Sequence, residues 1–184
     1  PILQKLPECL RNKLHGRINV FLDEKRFTGC QGLEINDEIR VTIAAQACLL
    51  IVNNPSQNWY NRLHTVVVYP SAYVAQAEAM NDDGIMQAGQ SDRLGESWGS
   101  GSIVLAWDSS RHGGANFEDA HNVVIHEFAH QLDQIDGAAD GTPTLGVGNC
   151  YQTWARVLGS EYQRLVKRTR KRRKTLLDQY GSTN

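Results

Sequence analysis

Residues 123–133 read VVIHEFAHQLD, in which His126 and His130 stand four apart and Glu127 follows the first directly. On a helix, positions i and i+4 lie one turn apart on one face, so two imidazoles at this spacing can point at a single ion. Zinc accepts neutral imidazole nitrogen at about 2.0–2.1 Å and prefers tetrahedral geometry. A carboxylate beside the first ligand is angled away from the ion and toward the position where water binds, so Glu127 is placed to act as a base. Zinc brings the pKa of a bound water to about 7, and the base relays the proton to a leaving amine during attack on a polarised carbonyl. The same pattern also arises by chance on helices whose histidines are packed or solvated. Context favours the metal: the motif lies between apolar residues, after a strand and a glycine-rich turn.

Catalytic zinc usually takes three protein ligands, so two histidines leave one unassigned. The extension HExxHxxGxxH does not hold, because Asp133 stands at the glycine position and Asp136 at that of the third histidine. Asp133 reads as an acceptor behind the ligands or as a helix-end residue. Glu161 has the separation of a ligand offered by a later helix, although a solvated surface glutamate is the plainer reading. His112 and His121 read as surface or capping residues.

The elements that must position this pair can be placed by periodicity. Leu10, Leu14, Ile18, Phe21 and Leu22 recur at helical spacing between Pro7 and Lys25, and Gly29 to Gly32 breaks the run. A second helix is expected from Asn36 or Asp37 to Val52, capped by Asn/Asp and buried through IAAQACLLIV. HTVVVYP (64–70) reads as a buried strand stopped by Pro70, and SIVLAW (102–107) as another. Between them, a short helical stretch near Ala72 to Met80 is expected to give way to a long surface loop ending in GESWGSGS. Gly113 and Gly114 read as a turn, after which Asn116 caps the motif helix, with Glu118 and Asp119 near its start and Gly137 past its end. Residues 138–149 read as a Gly/Pro loop. Trp154, Leu158, Tyr162 and Leu165 then mark a third amphipathic helix running toward Leu177.

At 184 residues the chain is long enough for one domain that buries about two-thirds of its unfolded surface. With 41% apolar and 21% charged residues and no apolar run long enough to span a bilayer, it reads as water-soluble. Cys9, Cys30, Cys48 and Cys150 form no CxxC pair, which argues against a zinc ribbon or a redox site; they read as reduced, mostly buried thiols in a cytoplasmic protein. Net charge is −1, yet residues 162–174 hold eight of the nineteen Lys and Arg and no acid, leaving eleven basic against twenty acidic residues elsewhere, a net −9. KRTRKRRK (167–174) thus offers a rival reading, a non-catalytic module that binds nucleic acid or an acidic protein through this segment. No aromatic residues interleave with these charges and no recognition module surrounds them, which favours a solvated helix face over nucleic acid.

The chain resembles the Mlc titration factor A family of zinc metallopeptidases, whose active-site fold is similar to that of the catalytic domain of anthrax lethal factor. The resemblance is carried by FLDEKRFTGCQGLEINDEIRVTIAAQACLL (21–50), GESWGSGSIVLAWDSS (95–110), NVVIHEFAHQLDQIDGAADGTP (122–143) and YGSTN (180–184). It implies His126 and His130 as zinc ligands, Glu127 as catalytic base and Tyr180 as a donor to the developing oxyanion. It also implies a third ligand, a glutamate seven residues after that tyrosine and so past Asn184. The implied activity is aminopeptidase-like peptide hydrolysis; enterobacterial members bind the repressor Mlc, a partner that these residues do not themselves reveal. The expectation is one α+β domain over 1–184, mainly helical and zincin-like, with a small β-sheet and the HExxH helix beneath a cleft.

Overall fold

The computed structural model describes residues 5–54, 60–71, 73–80, 86–93, 95–98, 101–116, 121–136, 141–142, 150–175 and 177. Its first helix, α1 (Glu8–Glu24), buries Leu14, Ile18 and Phe21, spaced to share one face. Lys25 turns extended and ends it; its ammonium is buried, pairs with Glu24 at 3.1 Å and donates to the carbonyl of Tyr60 at 2.9 Å. Strand β1 (Arg26–Gly29) follows at once. Helix α2 (Asp37–Ile51) starts where the Asn36 side chain accepts the Ile39 N–H at 3.0 Å, with Asp37 and Glu38 near its positive end. At its other end Arg17 of α1 donates to the carbonyls of Ile51 and Asn54, satisfying groups that a helix terminus leaves open.

In the main sheet β2 (Thr65–Tyr69) is flanked in parallel by β1 and by β6 (Ser102–Ala106), and β5 (Gly95–Trp98) pairs antiparallel with β6 at the margin. The order is therefore β1-β2-β6-β5. β2 alternates, with Val66 and Val68 inward, whereas Ile103 to Ala106 are all buried, as suits an inner strand. Residues expected as helix and loop instead form a separate antiparallel ribbon, β3 (Tyr73–Met80) with β4 (Met86–Arg93). The alanines of YVAQAEAM suit a helix, but eight residues of cross-strand pairing override that local preference; Ala72 lies outside the described residues.

Three further expectations are corrected. Gly113 and Gly114 lie inside helix α3 (Trp107–Ala115), not in a turn, and Asn116 ends that helix through its N–H to the His112 carbonyl at 2.8 Å. Asn122, not Asn116, caps the motif helix α4 (Val123–Asp133), which continues as a 3-10 turn over Gln134–Asp136. Helix α5 (Cys150–Arg170) stops short of Leu177. Glu118, Asp119, Gly137 and most of 138–149 lie outside the described residues. The thiols also differ from expectation: none is in a disulfide, but only Cys48 is buried, Cys30 is half-buried, and Cys9 and Cys150 are exposed.

One apolar cluster joins α1, α2, the inner strands and α4, through Leu14, Phe21, Ile43, Val66, Leu105 and Phe128 among others. The molecule is α+β. Among the described residues no helix is long and apolar enough to cross a membrane.

Candidate metal centre

Helix α4 exists because Asn122 accepts the Ile125 N–H at 2.9 Å and because one of its faces is apolar. Val124 and Phe128 are fully buried. The Phe128 ring stands 4.9 Å from that of Tyr60 at 78° and 5.7 Å from that of Phe21, edge and tilted contacts that aromatic rings favour. This anchor sets the rotation of the helix. His126, Ala129 and His130 are consequently turned away from the core, while Glu127, at 7% exposure, is held between the two faces.

The histidines converge. Their Nε2 atoms are 3.2 Å apart, the ring centroids 4.7 Å apart and the planes at 88°. Two nitrogens held by one tetrahedral zinc at about 2.0–2.1 Å would stand about 3.3–3.4 Å from each other, so the spacing of the pair matches such an ion; without it, the same distance lets one Nε2–H donate to the other ring. Desolvation, and after it the charge of His130, lowers the His126 pKa below the ordinary imidazole value. That favours the neutral ring, the form that ligates metal.

Among the described residues no third His, Cys, Asp or Glu joins the pair. Glu161 is exposed on α5 and paired with Arg164 at 3.0 Å, a surface role. His112 and His121 are exposed. Asp133 is the last residue of α4 and buried; its Oδ2 accepts the Gly141 N–H at 3.0 Å, while Oδ1 has no hydrogen-bond partner among the described residues. The Gly141 carbonyl accepts from Trp154 Nε1 at 3.3 Å, which ties α5 to the end of the motif helix. Tyr180 lies outside the described residues. The basic segment occupies the last turn of α5 and the residues just after it, where Arg168 donates to the Lys174 carbonyl at 2.6 Å. The shallow depression there, lined by Tyr162, Val166, Lys167, Arg170 and Lys171, contains no motif residue.

Sequence reasoning missed Asn122 and Gln46. The first was signalled by an Asn directly before the apolar run at 123, and the second by a lone amide within IAAQACLL.

A sequence model of the glucose-regulated metallo-peptidase M90 family matches residues 1–184. The chain belongs to the M90 family. It is 41% identical over 185 residues to an uncharacterized protein of Synechocystis sp., covering all of this chain and 67% of the relative. It is 31% identical over 149 residues to the Mlc titration factor A proteins of Yersinia pestis and Yersinia pseudotuberculosis, covering 80% of this chain and 54% of theirs. The chain thus spans between half and about two-thirds of the length of these relatives. M90 membership suits a metallopeptidase.

Proposed function

We propose that this M90 chain is a zinc-dependent, aminopeptidase-like peptidase with a zincin-like fold over 1–184 as one domain. The 3.2 Å convergence of the His126 and His130 imidazoles beside a buried glutamate carries the reading. His126 and His130 would hold zinc, and a carboxylate from outside the described residues would complete the set. When bound, zinc supplies a Lewis acid and makes water acidic near neutral pH. The Glu127 carboxylate, largely buried, takes the proton from the attacking water and passes it to the leaving amine. Tyr180 would donate to the carbonyl oxygen as charge develops there. β5 packs beside α4 at the margin of the sheet and offers an edge along which an extended peptide could lie. The name of the Yersinia relatives supports a second role, binding of the repressor Mlc, and a cytoplasmic location follows from that role.

The test uses the full-length protein. Native enzyme is expected to bind one zinc per site and cleave aminoacyl arylamides. Glu127→Gln should keep the zinc and lose about a hundredfold to ten-thousandfold in rate, and His130→Ala should lose the zinc. Full activity in Glu127→Gln would overturn the reading.

A further inference from the structure

Four residues, an amide of α2, two glycines of α3 and the amide that caps α4, meet where α4 begins. Gln46 is 3% exposed in the middle of α2. Its Nε2 donates to the Thr42 carbonyl at 3.0 Å and to the Ser110 carbonyl of α3 at 3.1 Å. Its Oε1 accepts from Asn122 Nδ2 at 2.8 Å, and the same Nδ2 donates to the Gly113 carbonyl at 3.0 Å. Asn122 Oδ1 takes the Ile125 N–H. Both donors of each amide are thereby used on acceptors of α2 and α3, while the Asn122 oxygen accepts from α4.

The paired glycines of α3 explain themselves at this junction. A Cβ on Gly113 would meet the Asn122 side chain at 3.0 Å, and one on Gly114 would meet Gln46 Nε2 at 3.1 Å. Each glycine costs a helix about 1 kcal/mol relative to alanine, yet both allow the amides to lie flush against α3. A cap alone requires none of this: Asn36 caps α2 through its own Oδ1, by accepting the Ile39 N–H.

We propose that Gln46 and Asn122 are positioning residues for the histidine pair, an inference that rests on the zinc reading above. By fixing the first turn of α4 from two neighbouring helices, they set the height of the helix, as Phe128 sets its rotation. His126 comes one residue after the tethered Ile125 N–H, so a shift of that turn moves one imidazole against the other. The amide orientation is what matters. In Asn122→Asp the capping oxygen is kept, but an oxygen replaces the donor and faces the Gln46 Oε1 and Gly113 carbonyl.

The experiment compares Asn122→Asp, Gln46→Leu and Val68→Ala in the full-length protein. Zinc affinity is read by competition with a chromophoric chelator, thermal midpoint alongside, and imidazole nitrogen NMR resonances in the metal-free state. Loss of a group that orients a metal ligand typically costs about tenfold to a hundredfold in affinity. That loss is expected in the first two variants, and native affinity in Val68→Ala, whose only defect is in the core. Native affinity and native resonances in Asn122→Asp would reduce the residue to a cap and overturn the inference. If the native protein takes no zinc, the peptidase reading falls separately, and the metal-free resonances decide. Displacement in Asn122→Asp but not in Val68→Ala upholds the inference; no displacement in either overturns it.

Discussion

His126 and Cys48 are each shifted by burial, with opposite consequences for pH. The folded His126 resists a proton that the unfolded chain accepts near pH 6.5. Its contribution is therefore complete above that value and is lost as pH falls toward the folded pKa. The metal-free protein should melt at a lower temperature at pH 5 than at pH 7, with a smaller drop in His126→Gln. Burial pushes the Cys48 thiol up to about 12, offset in part by Arg17. At pH 8 a thiol reagent should label Cys9 and Cys150 promptly and Cys48 only on unfolding. Above about pH 9 the unfolded thiol ionises first, so stability should fall. The spacing of His126, Glu127 and His130 was legible in sequence because helical periodicity alone puts i and i+4 together. The Gln46–Asn122 contact was not, since 76 residues separate partners whose meeting depends on the packing of three helices.

At the scale of elements, α1, α2 and α4 were readable because each carries several turns of apolar periodicity. β1 is four residues long, too short for any period, and the β3–β4 ribbon depends on a partner that local propensity cannot see. Gly-Gly suggested a turn because glycine commonly breaks helices, whereas here it accommodates neighbours' amides. Phe128 joins the motif to the core, and Phe128→Ala should cost about 3–5 kcal/mol in denaturant unfolding. Asn36→Ala, removing only a cap, should cost about 1 kcal/mol. Disrupting the exposed Glu161–Arg164 pair should change stability by less than about 1 kcal/mol.

Across the whole molecule, chemistry and charge are segregated: α4 and its histidines belong to the packed body, while α5 buries no side chain and ends in the basic run. On the zinc peptidase reading, chelation of the full-length protein should abolish hydrolysis and lower the melting temperature, because an ion bound only by the native state stabilises it. Strand β2 has a further consequence, for the order in which the chain assembles. It joins neighbours that lie roughly forty residues away in each direction, and such distant pairings close slowly. α4 packs against α2 and β6, so it is expected to dock after they have met. Refolding kinetics should register this: truncating Phe128 should hasten escape from the native state much more than it delays arrival there.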